Sequence, residues 1–68
     1  MDTQLRKYRN QKRLSQRALS ILANISERAY NMHEKGKGGV CREQTRTALA
    51  KHLGTVEARL FDQEGRAK

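Results

Sequence analysis

Apolar residues recur along this chain at three- and four-residue intervals, set between charged and amide side chains. That spacing predicts amphipathic helices, and the alternation of β-branched and aromatic residues that marks strands is absent. A first helix is expected from about Thr3 to Lys12, with Leu5 and Tyr8 inward, Arg9 and Lys12 extending that side, and Thr3 or Asp2 as its cap. A second begins at Ser15, an N-cap with Leu14 just outside it. It turns Ala18, Leu19, Leu22 and Ala23 inward and stops at Asn24, a residue that tolerates the left-handed conformation of a helix terminus. A third starts at Ser26 behind Ile25, carries Ala29, Tyr30 and His33 on one side, and stops at Gly36. Only a turn around Asn24 and Ile25 separates these two helices, so they must cross steeply. After a loop from Lys35 to Val40, a fourth helix covers about Arg42 to Leu53, with Thr45, Ala48, Leu49 and Leu53 inward, and ends at Gly54. A fifth, about Val56 to Phe61, closes the core with Leu60 and Phe61. The fold class is all-α, with one domain over 1–61 and a polar C-terminal tail over 62–68 that is expected to fray.

Composition narrows what such a domain can do. A chain of 68 residues has a marginal core and no room for a deep substrate pocket with supporting shells, which argues against an enzyme. Lys and Arg number 15 against 7 Asp and Glu, a net charge of +8. Solubility does not need so large an imbalance, and it points to a polyanionic partner. Aromatic residues make up 4%, too few for platforms that stack single-stranded nucleic acid. The single cysteine, Cys41, leaves no internal disulfide and fits a reducing cytoplasm. The basic stretch 1–13 lacks the apolar core of a secretory signal, and no run approaches the roughly 18 apolar residues of a membrane span. Leu5 and Tyr8 give the first helix too narrow an apolar stripe for a membrane surface. His33, Cys41 and His52 fit no zinc spacing, so neither metal nor cofactor is expected. Gly36-Lys37-Gly38-Gly39 lacks the preceding strand of a phosphate-binding loop. No small-molecule effector is evident.

Several short motifs stand in a telling order: Leu14-Ser15-Gln16, Leu19, Ile25-Ser26, Glu34-Lys35-Gly36-Lys37, Leu49-Ala50-Lys51, Leu53-Gly54 and Leu60-Phe61. In that order and spacing, from about Leu5 to Phe61, the chain resembles the Cro/C1-type helix-turn-helix family, also called the phage-repressor-like or Xre family. The resemblance implies a compact five-helix, lambda-repressor-like domain whose second and third helices form a helix-turn-helix from about Ser15 to Lys35. It also implies sequence-specific binding to a double-stranded DNA operator, usually as a twofold homodimer. The family often has Gly where Arg13 stands, a larger aliphatic residue at Ala23, an aliphatic residue or Trp at His33, and Pro in the loop where this chain has Val40-Cys41.

The resemblance assigns base reading to the outward face of the third helix, at Glu27, Arg28, Asn31 and Met32. Chemistry gives each a role. Arg28 can grip guanine O6 and N7, Asn31 suits adenine or a phosphate, Glu27 can accept from cytosine N4 or only orient Arg28, and Met32 can touch a thymine methyl. The alternative for each is a plain exposed helical residue, and base reading is favoured for Arg28. Backbone contacts are expected at Gln16, Arg17, Ser26, Lys35, Lys37 and Arg42. Ser26 also has the simpler role of N-cap, and Gln16 matches a family glutamine that bonds phosphate and braces the third helix. Arg9 and Glu34 match an ion pair that ties the first helix to the end of the third, so Arg9 is read as structural. The function expected is that of a Cro-like transcriptional regulator of phage or mobile-element type, in a prokaryotic cytoplasm and associated with the nucleoid. The alternatives are an antitoxin, a restriction-modification controller, or an excisionase-like architectural accessory. Val56, Leu60, Phe61 and the Gly38–Val40 loop are the expected dimer surface.

Overall fold

The computed structural model describes residues 3–68, so the alternative cap at Asp2 lies outside the described residues. Five helices follow in order: α1 (Gln4–Gln11), α2 (Gln16–Leu22), α3 (Glu27–Glu34), α4 (Glu43–Leu53) and α5 (Glu57–Leu60). Local chemistry sets their limits. Ser15 Oγ accepts from the backbone N–H of Ala18 at 3.0 Å, and Ser26 Oγ accepts from Ala29 at 3.0 Å, so each serine satisfies one orphan donor at its helix start. Asn24, at φ 59°, reverses the chain between α2 and α3 while the Ile25 N–H donates to Ser20 O at 3.0 Å. Gly54 closes α4 at φ 69°. Arg13 also adopts a left-handed φ of 56°, which explains why a glycine suits that position in the resembled family.

Every helix contributes to one core. Leu5, Leu19, Tyr30, Leu49, Leu53 and Leu60 are fully or almost fully buried, with Ala23, Ala50, Cys41 and Phe61 packed among them. Burying each large apolar side chain contributes about 1.5–3 kcal/mol. Thr45 is buried as expected, while Ala48 is only partly so. One inward apolar assignment fails, and so does the cap assigned to Thr3. Leu22 is 43% exposed and lies along an open groove with Ile25 and Val40. The inward position on α2 goes to Ser20, whose hydroxyl donates to Arg17 O at 2.7 Å and so enters the core without an unpaired polar group. Thr3 precedes α1 but makes no side-chain cap bond. Its hydroxyl donates instead to Glu34 O at 2.6 Å, joining the start of α1 to the end of α3.

The tail is ordered by backbone pairing. Val40 bridges Arg66 and Phe61 bridges Ala67, both antiparallel. The Lys68 N–H donates to Leu60 O at 2.9 Å, and Lys68 O accepts from the Gln4 N–H at 2.7 Å. Residues 62–68 therefore fold back across the body, and the expectation of fraying is corrected. Leu60 and Phe61 lie in the core, which removes them from the expected dimer surface; Val56 and Val40 remain exposed.

Candidate nucleic-acid interface

Tyr30 is fully buried and marks the inward side of α3. At about 100° per residue, Arg28 and Met32 then fall on the opposite side of the helix. Both are exposed, as is Glu27, whereas Asn31 is half-buried on the flank toward α2. There Asn31 Nδ2 donates to Gln16 Oε1 at 3.0 Å. The bond crosses the turn and locks the first turn of α2 to the middle of α3. It leaves Asn31 with one N–H and its carbonyl oxygen to offer outward.

The basic side chains divide into two groups. Arg17, Arg28, Lys35, Lys37 and Arg42 are exposed and have no ion-pair partner among the described residues. Ser26 is exposed beside them; its oxygen accepts the cap bond, so its hydroxyl proton can still be given to a phosphate. Arg42 occupies the N-cap position of α4 in an extended conformation, without a side-chain cap bond. It stands at the end of the loop that follows α3.

Arg9 belongs to the other group. Its Nε donates to Glu34 Oε2 at 3.0 Å, its Nη2 donates to Glu34 Oε1 at 2.8 Å, and its Nη1 donates to Leu14 O at 2.8 Å. The guanidinium forks onto a buried carboxylate and is withdrawn from the basic face. Burial pushes the Glu34 pKa up, but the two hydrogen bonds from Arg9, with the nearby Tyr30 hydroxyl and Gln16 amide adding to them, outweigh it and hold the carboxyl below its ordinary value. Gln16, bonded to Asn31, also lies near this buried charge. Tyr30 Oη is buried without a hydrogen bond of good geometry, and burial, then the neighbouring Glu34, push the phenol well above its usual value. His33 is half-buried, Nδ1 has no partner, and burial lowers its pKa, so the ring is neutral at pH 7.

The structure thus brings Glu27, Arg28, Asn31 and Met32 together on one helix, with Gln16 bonded to Asn31. Arg17, Lys35, Lys37 and Arg42 sit on three other elements: α2, the loop, and the start of α4. Reading the residues alone missed segment 62–68 as a neighbour of Arg42. The signal was present in Asp62 and Gly65, a turn pair. Among the described residues no group of three or more His, Cys, Asp and Glu is arranged to hold a metal ion, and no helix is long and apolar enough to cross a membrane.

Residues 3–61 match a family model described as a helix-turn-helix domain; segment 62–68 lies outside the match. No curated protein and no solved structure matches the chain.

Proposed function

Because the chain belongs to the helix-turn-helix domain family, we propose that it is a sequence-specific, double-stranded-DNA-binding transcriptional regulator that lays α3 in the major groove. The observation that carries this reading is the outward face of α3. Exposed Arg28 and Met32 lie opposite the buried Tyr30 and are flanked by exposed basic side chains without ion-pair partners. Arg28 reads guanine through two parallel hydrogen bonds, and such a pair discriminates by about 1–3 kcal/mol. Asn31, held in place by Gln16, offers the remaining acceptor and donor that adenine N6 and N7 require. Met32 meets a thymine methyl, and Glu27 orients Arg28 or accepts from cytosine. Arg17, Lys35, Lys37 and Arg42, with Ser26 and Gln16, bind the phosphate backbone, and each charge neutralised contributes about −0.9 to the slope of log K against log salt.

The finer reading is a Cro-like repressor of phage or mobile-element type. It acts in the cytoplasm by occupying an operator that RNA polymerase would otherwise use. Two copies bind half-sites about one helical turn apart, with the exposed Val40 and Val56 as the apolar positions available for contact between them. Sedimentation of the protein with a two-site operator tests the pairing, and a strict monomer on such DNA would exclude it. The decisive experiment is selection from random duplex DNA with the protein and with Arg28→Ala. The expected result is a palindromic site whose preference relaxes at one base pair per half-site in the variant. Uniform, salt-dependent binding with no enriched site refutes specific recognition.

A further inference from the structure

Segment 62–68 lies outside the part of the chain that matches the family, yet backbone hydrogen bonds tie it to α1, to Cys41 and to the end of α5. Asp62 organises it. Its Oδ1 accepts from the N–H groups of Glu64 at 2.9 Å and Arg66 at 3.0 Å, and the Asp62 N–H donates to Arg66 O at 2.8 Å. The turn so formed places Gly65 and Arg66 alongside Val40 and Cys41. There the Cys41 N–H donates to Gly65 O at 2.8 Å, while Arg46 Nη1 donates to Cys41 O. The Cys41 side chain is fully buried. Both backbone polar groups and the side chain of the residue before Arg42 are therefore fixed. Gly65 is required where it stands. Its φ is 85°, and a Cβ there would lie 2.7 Å from Arg46 Nη1 and 3.2 Å from Val40 Cγ1.

We propose that segment 62–68 is a clasp that positions Arg42 for its DNA phosphate, making this segment a working part of the DNA-binding face. The proposal rests on the reading of the chain as a DNA binder with Arg42 on the backbone. The physical reason is entropic. Arg42 follows Cys41 at the end of a long exposed loop, 35–40, and a flexible anchor would have to be ordered each time DNA binds. Pairing Cys41 to Gly65 supplies that order beforehand. The clasp is far in sequence from Arg28 and makes no hydrogen bond to α3, so it acts on the phosphate contact and leaves base selection alone.

The test uses Asp62→Ala, which removes the turn's acceptor without touching a core residue, and Gly65→Val, which forces the clasp apart at the Cys41 pairing. Amide exchange at the Cys41 N–H reports clasp opening, and circular dichroism reports the helices. Binding is measured over a range of salt at a temperature where the helices are fully formed. With the clasp open, affinity for the selected operator is expected to fall about tenfold, the loss of one charged hydrogen bond. The magnitude of the salt slope is expected to fall by about 0.9, with selection at the Arg28 base pair unchanged. Arg42→Ala is expected to reproduce this loss and to add nothing when combined with Asp62→Ala. Fast exchange at Cys41 with unaltered affinity and slope, or additive losses in the double variant, overturns the clasp and leaves the DNA-binding reading standing. An Arg42→Ala variant that binds like the parent overturns the clasp together with the Arg42 contact. Failure of the parent itself to bind duplex DNA removes the functional reading.

Discussion

Glu34→Ala removes the acceptor for a bidentate guanidinium while leaving the backbone tie from Thr3 to Glu34 O in place. The Glu34 side chain is 3% exposed and that of Arg9 13%, so the pair is largely desolvated. Deleting one partner of such a pair costs about 3–5 kcal/mol, because the other charge stays buried without compensation. Arg9 keeps Leu14 O and some access to water, which places the loss near about 3 kcal/mol. A chain of this length is expected to have a total stability of about 3–10 kcal/mol, so the loss is a large share. At about 4–8 °C per kcal/mol for a domain of this size, the melting temperature should fall by about 12–24 °C. Glu34→Gln, which keeps the shape and some of the hydrogen bonding, should fall between the variant and the parent. The pair also predicts an acid response. The Glu34 pKa is depressed in the folded state, so on acidification the unfolded chain takes up the proton first. The stabilisation is thus complete above the unfolded pKa of about 4.3 and is lost as pH falls through the folded value. Thermal melts followed by circular dichroism at pH 7 and between about pH 3 and 5 check both points. A Glu34→Ala variant melting within about 3 °C of the parent, or a Glu34→Gln variant with the same acid profile as the parent, would refute the brace.

Two further outcomes are expected. Gln16→Ala should lower operator affinity and also relax selection at the base pair read by Asn31, since it frees the Asn31 amide; a neutral side chain releases no counterion, so the salt slope should not move. Losses from Gln16→Ala and Asn31→Ala that simply add, with no coupling of about 0.5 kcal/mol or more, would show that the two residues act separately. His33→Leu should raise stability by about 1 kcal/mol, because it removes a buried nitrogen that has no partner. The His33 pKa is lowered by burial, so its contribution is full above the unfolded value of about 6.5 and declines as pH falls toward the folded one. The variant should lose that component of the pH dependence, and a stability equal to or below the parent's at pH 7 would refute the account.

The helix-turn-helix was legible because its punctuation is local. Ser15 and Ser26 cap by bonding backbone three residues ahead, and Asn24 turns left-handed, so a short window of sequence contains the cause of each boundary. The pair Arg9–Glu34 was legible only through the family resemblance, since nothing in either residue's neighbourhood announces a partner 25 positions away. Leu22 was misplaced because hydrophobicity outweighed size. The inward position of α2 accepts a serine whose hydroxyl bonds its own helix, and period counting favours the larger apolar neighbour. The segment 62–68 was misread for a different reason. Its cohesion comes from backbone N–H and C=O groups and from one aspartate, which leave no alternating pattern in the side chains. The same contacts drew Leu60 and Phe61 inward and away from the surface where two copies were expected to meet.

These ties share a logic imposed by the size of the domain. Apolar burial is non-directional, and a core built from a few leucines, a tyrosine and alanines holds α3 against the body without strongly fixing its roll. The proposed base reading requires that roll, because a rotation by one residue's worth of arc, about 100°, would put a different side chain where Arg28 is proposed to meet the groove. Hydrogen bonds are directional, and they occur where direction is needed. Gln16–Asn31 holds the middle of α3, Thr3 and Arg9 hold its end through Glu34, and Gly65 holds the segment from which Arg42 departs. Recognition should therefore be more sensitive to the loss of these polar ties than to a conservative apolar substitution in the core, such as Leu49→Met, that costs comparable stability. Operator affinity measured at matched folded fraction separates the two. If Glu34→Gln and Leu49→Met lose equal affinity, the polar ties contribute only stability, and the orientation of α3 is set by packing after all.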